Sequence, residues 1–355
     1  MLLVYSGLAI LVYMQFGAGE DPKKNRKVCI WIAVYLFLIS AMKAITTDGD
    51  LMGYARSYRN LASWEYGELI DRWMDGKLKD GVFYIVAKVF RDIGFSEYAW
   101  MSVISLVFGV ATGWFIYRNS AKPFLSLMLL MTLEYFRFTL SGLRQAVALA
   151  VILGLSYGFM LDRKPIKFVL SVLLAACFHS SAILFLPAYV ISSWKLGWKQ
   201  VVLVFGLFVI YFLFPEFIRT VLAKIAWSES VAAYAHSQTS LTWSGVIIQV
   251  CILAFCLLFR NETVLDDRLR WRHVDAFINC MIVGLCLQVL ATMIAEAFRL
   301  AYYYNICCIA AIPNEVVENK REENHSTMYI IIGLCLVAYM LWSRAYFNLV
   351  LFWQK

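Results

Sequence analysis

A few charged residues interrupt a chain that is otherwise strongly apolar. Arg144 opens one apolar segment directly after a turn, His179 lies inside a second segment, and Arg299 lies near the end of a third. Because a charge within a membrane span costs at least a few kcal/mol, such residues are the first candidates for chemistry. A guanidinium group can bind phosphate oxygens through two donors, and an imidazole can accept a proton near neutral pH. These residue types therefore predict a site that combines anion binding with proton transfer.

The residues around Arg144 have the features of an anion site. Glu134 and Arg137 precede Gly142, which lets the chain turn tightly before Arg144. Arg144 then falls in the first turn of a helix, where a cation opposes the helix macrodipole. A phosphate held by the free backbone N–H groups and by Arg144 would remove that conflict. An ion pair between Arg144 and Glu134 is the alternative.

A second group of polar residues follows the second apolar segment. Asp50, Tyr54 and Tyr58 lie on one face if this part of the chain is helical, so they could line the same site. Two alternatives remain open. Asp48 or Asp50 could cap the helix, and the two tyrosines could be interfacial anchors.

His179 and Arg299 each allow two interpretations. A lone histidine on an apolar face is often a satisfied core residue, whereas a histidine between two half-helices favours a functional site. Arg299 lies near the outer end of an apolar segment and is followed by aromatic residues that include Tyr303. It could snorkel to lipid headgroups, or it could clamp a diphosphate together with Arg144.

The composition predicts that an all-α bundle in a membrane positions these residues. Of 355 residues, 62% are hydrophobic and 16% are charged, whereas a soluble domain carries about 25% charged residues. This balance excludes a disulfide-stapled secreted module, a disordered tail and a nucleic-acid-binding domain. The net charge of +8 fits an excess of Lys and Arg in cytoplasmic loops. The nine cysteines lie in apolar segments and lack the spacing of a zinc site, so they are expected to act as small hydrophobes.

Apolar length predicts one polytopic domain over residues 1–355 with about 10–12 membrane segments. The basic connector at residues 23–27 should be cytoplasmic, which places the N-terminus outside and the loops at Arg163, Lys195 and Arg268 inside. The predicted spans are 1–16, 28–45, 99–117, 123–138, 143–161, 200–214, 243–260, 273–293, 300–312 and 328–347.

The stretch 168–191 decides the sidedness of the later loops, because counting it as one span would move the arginines of residues 260–272 outside. At about 1.5 Å per residue, each half flanking His179 is only about 16 Å long, roughly half of a 30 Å hydrocarbon core. We therefore predict a broken, re-entrant segment of two half-helices that enter from the cytoplasm and meet near His179. Its tip is a candidate wall of a functional cavity.

Residues 46–98 carry aromatic residues among charges at helix-like spacing. This pattern predicts an insertion of amphipathic helices that lie along the outer membrane interface. A small extracytoplasmic cap is the alternative.

The order of these motifs resembles the EpsG family of bacterial exopolysaccharide polymerases, which are related in role to Wzy-type polymerases. The resemblance is best from about Lys43 to Tyr189 and is expected to cover most of the chain, and a second acid, Asp48, stands where one main acidic position is expected. The matching motifs are Asp50-x-x-x-Tyr54, Gly142-Leu143-Arg144-Gln145, Phe178-His179-x-Ser181, and Arg299 with Tyr303.

The resemblance implies a glycosyltransferase that joins undecaprenyl-diphosphate-linked oligosaccharide repeat units, for O-antigen, capsule or exopolysaccharide. The site would face the periplasm or cell exterior, at the outer face of the bacterial cytoplasmic (inner) membrane. Its expected partners are the lipid-linked oligosaccharide, membrane lipid, a chain-length regulator and a flippase, with no nucleic acid, no cofactor and no metal. A flippase or transporter of the same lipid-linked sugar is the main alternative, and a membrane acyltransferase that uses His179 is a weaker one.

Under this hypothesis, the chemistry of the reaction assigns roles to residues. His179 is the favoured base, with Asp50 second as base or as orienting partner of His179. The arginines would stabilise the departing diphosphate, while aromatic and amide side chains would contact the sugar and the polyprenyl chain. The predicted diphosphate-binding residues are Arg144, Arg299 and Arg137, and the predicted substrate-binding residues are Tyr54, Tyr58, Gln145 and Tyr303.

Overall fold

A computed structural model describes residues 22–45, 49–217, 220, 243–260, 274–293, 297–318, 332–336 and 339. Every secondary-structure element over these residues is helical, which confirms the predicted all-α class. The chain forms two compact units, one of residues 1–186 with 322–355 and one of residues 187–321. The predicted span 1–16, most of span 328–347 and the loop 261–273 lie outside the described residues.

The first unit contains two helices that are long and apolar enough to cross a membrane, Glu97–Asn119 and Leu143–Leu161. Shorter apolar helices accompany them. In chain order the helices are α1 (Pro22–Ala41), α2 (Gly49–Asn60), α3 (Tyr66–Met74), α4 (Gly81–Asp92), α5 (Glu97–Asn119), α6 (Pro123–Thr132), α7 (Tyr135–Thr139), α8 (Leu143–Leu161) and α9 (Pro165–Phe178), followed by a 3₁₀ helix at Ser180–Phe185.

The second unit repeats the pattern of apolar helices at the predicted spans. Buried polar side chains join its helices, for example where Gln200 Nε2 donates to Asn279 Oδ1 at 3.1 Å. Its helices are α10 (Ala188–Ile191), α11 (Trp198–Leu213), α12 (Ser244–Leu258), α13 (Val274–Leu290), α14 (Ala297–Asn305) and α15 (Cys308–Glu318).

Helices α1 and α5 pack closely because α5 presents two glycines four residues apart. A Cβ on Gly109 would lie 2.7 Å from the Ala33 carbonyl oxygen, and a Cβ on Gly113 would lie 2.8 Å from the Cys29 carbonyl oxygen. Small residues at this spacing let two helix backbones approach in an apolar environment, where burial of side chains from water supplies little attraction. The glycine pair therefore fixes how these two helices contact.

Two predicted spans are interrupted by backbone features. The span 123–138 ends as a helix at Thr132, because Glu134 adopts a left-handed conformation with φ of 63° before α7 begins. The span 300–312 is divided by a turn at residues 306–307. These interruptions were not predicted, since hydrophobicity alone does not reveal where the backbone leaves the α-region.

Residues 49–92 form three helices, α2, α3 and α4, which share one apolar core with the starts of α5 and α8. Leu61 and Leu69 are buried within this layer, while Phe83 packs against Trp100 of α5 with ring centroids 5.7 Å apart. Leu143, at the start of α8, belongs to the same core. We refer to α2, α3 and α4 together as the cap. Whether these helices lie along the membrane interface stays a prediction. Which membrane face the cap occupies stays a prediction.

The chain reverses direction at His179. Helix α9 ends at Phe178, His179 is extended (φ −153°, ψ 109°), and the 3₁₀ helix then brings Phe185 back to Phe168, with ring centroids 6.0 Å apart. A continuous helix would separate these two residues by about 25 Å. The predicted break at His179 is therefore present, and the half before it is a 14-residue helix.

A cysteine that replaces Lys195 tests the predicted sidedness of this reversal. In a chain whose native cysteines are replaced by alanine, a membrane-impermeant maleimide added to intact cells should leave this position unlabelled, because the re-entrant segment returns the chain to the cytoplasm. A cysteine at Lys77 of the cap is the matched control and should be labelled, since both lysines are exposed. Labelling of the Lys195 position from outside alone would refute the re-entrant topology.

Candidate functional site

Asp80 is the residue around which the polar groups of the first unit are arranged. Its Oδ2 accepts a hydrogen bond from Arg144 Nη1 and lies 3.0 Å from His179 Nδ1, while Oδ1 accepts from the Ser180 N–H at 2.9 Å. The side chain of Asp80 is only 2% exposed. One buried carboxylate therefore joins the start of α4, the start of α8 and the reversal at His179.

The local sequence explains how Asp80 reaches these partners. Asp80 precedes α4 in a left-handed conformation (φ 56°, ψ 46°), which aspartate tolerates better than most residues. Its side chain makes no capping hydrogen bond to α4, so both oxygens are available to the other elements. The next residue, Gly81, lies against the ring of Trp73, which occupies the place of a Cβ. The Asp-Gly pair thus sets the direction of the carboxylate.

Arg144 lies in the first turn of α8 and is held at two of its donors. Nε donates to the Tyr54 hydroxyl at 3.2 Å, Nη1 donates to Asp80 at 3.0 Å, and the guanidinium lies 5.9 Å from the centroid of the Tyr54 ring. Among the described residues, Nη2 makes no hydrogen bond, and 27% of the side chain is exposed. An arginine fixed in this way can still present donors to an anion.

Glu134 is not the counter-ion of Arg144, although the sequence allowed that pairing as an alternative. Its Oε2 accepts from Arg137 Nη1 at 2.9 Å, and the Arg137 side chain is half exposed. Arg137 is therefore paired within its own helical turn, while Arg144 is paired with Asp80.

His179 presents one ring nitrogen to Asp80 and the other to the surroundings. Its side chain is 21% exposed, and among the described residues Nε2 makes no hydrogen bond. When a carboxylate accepts the Nδ1 proton of an imidazole, Nε2 carries the lone pair and can accept a proton. The geometry is therefore suited to a base at Nε2.

The charges of this cluster balance. Burial raises the pKa of a carboxyl group, but the hydrogen bond and charge interaction with His179, the Ser180 N–H and the Arg144 guanidinium hold the pKa of Asp80 below its usual value. Burial, as the largest effect, raises the pKa of the nearby Tyr84, so its phenol stays protonated. Asp80 is therefore the anion of the cluster at neutral pH, and Arg144 is its cation.

The other predicted residues of the first unit are placed differently. Asp50 is exposed in the first turn of α2. Tyr58 is 2% exposed, and its hydroxyl donates to the Phe95 carbonyl at 2.8 Å, which ties α2 to the loop after α4. Gln145 is buried in α8 beside Arg144. Of the predicted substrate-binding residues here, Tyr54 is the one that directly contacts Arg144.

Arg299 and Tyr303 belong to the second unit, where both lie in α14. Tyr303 is fully buried, whereas Arg299 is partly buried with its guanidinium 5.9 Å from the Phe298 ring centroid. Their contribution to the site stays a prediction.

Within the described part of the chain, no group of three or more His, Cys, Asp or Glu residues is arranged to hold a metal ion.

The model of the EpsG family matches residues 26–353, which is nearly the whole chain. The chain belongs to the EpsG family. No curated protein and no solved structure shows a significant match. The family match confirms the resemblance and the expectation that it covers most of the chain. It indicates a polymerase-like function in exopolysaccharide synthesis and a location in a membrane.

Asp80 is a residue of the cluster that was not predicted from the sequence. Two local features could have identified it. Asp-Gly is a turn-forming pair, and here it stands immediately before an amphipathic helix. Its pairing with Arg144 and His179 has no local signal, because 64 and 99 residues separate these partners in the sequence.

A Gly81→Ala variant tests whether Trp73 fixes the turn that carries Asp80. The added methyl group would overlap the indole ring, so we expect the free energy of unfolding to fall by about 1–3 kcal/mol. Thermal unfolding of the purified protein in detergent measures this change. Gly53→Ala is the matched control, because nothing lies within 4 Å of its Cβ, and it should leave stability unchanged or higher by about 1 kcal/mol. Equal stability of the Gly81→Ala variant and the wild type would contradict the described packing.

Proposed function

We propose that this EpsG-family chain is a polysaccharide polymerase that joins oligosaccharide repeat units carried on undecaprenyl diphosphate. The observation that carries the proposal is the cluster of Arg144, Asp80 and His179, which offers an anion-binding donor and a base in one place. The growing chain is the glycosyl donor, and a new lipid-linked repeat unit supplies the attacking hydroxyl group. The proposed location is the outer face of the bacterial cytoplasmic membrane.

The anion-binding half of the site acts on the leaving group. As the bond between the anomeric carbon and the diphosphate oxygen breaks, that oxygen keeps the electron pair and negative charge develops on it. Arg144 is held by Tyr54 and Asp80, so its Nη2 donors need little reorganisation to meet that charge. Arg137 and Arg299 are proposed to assist at the second phosphate or along the lipid-linked substrate.

The base half of the site acts on the acceptor. As the acceptor oxygen bonds to the anomeric carbon, its proton passes to Nε2 of His179, which becomes an imidazolium next to the Asp80 carboxylate. The charge of Asp80 stabilises that imidazolium. Tyr54 offers an aromatic face beside Arg144 for a sugar ring or an isoprene unit.

A flippase for the same lipid-linked sugar is the second candidate, because the chain reversal at His179 is a feature that transporters also use. Purified protein in proteoliposomes with lipid-linked repeat units separates the two functions. A ladder of longer glycans supports the polymerase, whereas movement of labelled lipid between leaflets without a ladder supports the flippase.

Arg144→Lys tests, in the chain-extension assay, whether Arg144 binds the diphosphate through two hydrogen-bond donors at once. Lysine keeps the charge but loses the planar fork, so donor use should fall by about 1–2 kcal/mol, which is roughly 5- to 30-fold in kcat/KM. Arg59→Lys is the control, because Arg59 forms an exposed ion pair with Glu97 on the cap and should behave as wild type. An Arg144→Lys variant with wild-type kcat/KM would exclude a two-pronged contact with phosphate.

His179→Gln tests the base. Glutamine keeps polarity and approximate bulk but does not titrate, so the rate of chain extension should fall by about 10²- to 10⁴-fold while the lipid-linked donor still binds. Rate measurements at saturating donor, together with retention of labelled donor by the protein, give the two quantities. A variant that polymerises at the normal rate would exclude His179 and return the role of base to Asp50.

A further inference from the structure

We infer that Asp80, rather than Asp50, is the positioning residue that holds His179 in its reactive orientation. The inference rests on the proposed function and adds to it a residue that acts through the base. It stands on the geometry of one buried carboxylate that receives three donors from two other parts of the chain.

The orientation of His179 follows from the contact at Nδ1. Asp80 is ionised and can only accept, so the hydrogen on this side of the imidazole is on Nδ1, and in the neutral imidazole the lone pair is then on Nε2. An imidazole without this partner could adopt either tautomer and rotate about its side-chain bonds. Asp80 therefore selects the nitrogen that acts as base.

The orientation of the carboxylate itself is fixed by Ser180. Its backbone N–H donates to Oδ1 at 2.9 Å, so Oδ2 is directed toward His179 and Arg144 and the carboxylate cannot turn without losing a buried hydrogen bond. Since Ser180 directly follows the base in sequence, the same carboxylate holds both the backbone and the side chain of the reversal. A movement of the reversal relative to α4 would break both contacts together.

The charged and titratable groups of the cluster come from three helices and from the reversal after α9, which carries His179. Asp80 and Tyr84 belong to the turn and helix of α4, Tyr54 comes from α2, and Arg144 comes from α8. Asp50 is exposed at the start of α2, whereas Asp80 is buried. The buried acid is the better positioning group, because its hydrogen bonds do not compete with water.

An Asp80→Asn variant tests this role in the chain-extension assay. The amide has nearly the same size, but its NH₂ group can donate to Nδ1, which would move the imidazole proton to Nε2 and remove the base. An equivalent aspartate-to-asparagine change in a serine protease triad lowers kcat by about 10⁴-fold. We expect kcat to fall by about 10²- to 10⁴-fold here, with KM for the lipid-linked donor changed only severalfold because Tyr54 still holds Arg144.

The double variant Asp80→Asn/His179→Gln separates a positioning role from a structural one. If Asp80 acts on the chemical step through His179, adding Asp80→Asn to His179→Gln should change kcat by less than about threefold, because groups that act as a unit are not additive. A multiplicative loss would mean that Asp80 contributes independently of the base, and it would overturn the inference. Wild-type kcat in the Asp80→Asn single variant would overturn it as well.

A variant that keeps the negative charge shows whether the loss of activity in Asp80→Asn comes from the missing carboxylate or from unfolding. Asp80→Glu retains the carboxylate at a slightly longer reach, so it should recover at least tenfold of the activity that Asp80→Asn loses. Thermal unfolding in detergent shows whether each variant is folded. If neither variant folds, Asp80 serves the fold rather than the base, and the inference is wrong. If the wild-type protein makes no glycan ladder, it is the proposed function that fails.

Discussion

The buried carboxylate of Asp80 is the interaction on which the arrangement of the site depends. A charge removed from water is costly unless charged or hydrogen-bonding partners compensate it, and here Arg144, His179 and Ser180 do so. These partners come from the first turn of α8 and from the end of α9. The requirement to satisfy one carboxylate therefore brings the cap, a membrane-length helix and the chain reversal together, so that a base and a cation become neighbours.

The rest of the first unit supplies the rigidity that this contact needs. Gly109 and Gly113 let α5 lie directly against α1, while the cap shares its apolar core with α5 and α8 through Trp100 and Leu143. Trp73 covers the turn that carries Asp80. Apolar packing thus sets the backbone positions, and the side chains of the polar cluster meet because the backbone is held in those positions.

Sequence reasoning reached the parts of the site that have a local signature. A histidine in the middle of an apolar stretch that is too short in each half to cross a bilayer predicts the break at His179, and the turn at Gly142 predicts that Arg144 lies in the first turn of a helix; both features are present. That Arg144 binds a phosphate stays a prediction. Asp80 has only the turn signature of its Asp-Gly pair, and its role depends on partners that are distant in sequence, so the more conspicuous Asp50 drew the assignment instead. The left-handed turn at Glu134 was missed for a related reason, because hydrophobicity does not encode backbone conformation.

The pairing of Arg144 with Asp80 also bears on turnover. An unpaired arginine in an apolar site would bind a diphosphate tightly before and after reaction, and such uniform binding does not accelerate the chemical step. With Nη1 engaged by a carboxylate, the net charge of the pair is zero, so a resting diphosphate ester gains less from Arg144 than a leaving group on which extra charge develops. In the proposed reaction, protonation of His179 adds a positive charge beside the same carboxylate, which would shift the cluster toward binding the anion when its charge is greatest. Under that proposal the arrangement would favour the transition state over both substrate and product, as a polymerase that released a lipid carrier in every cycle would require.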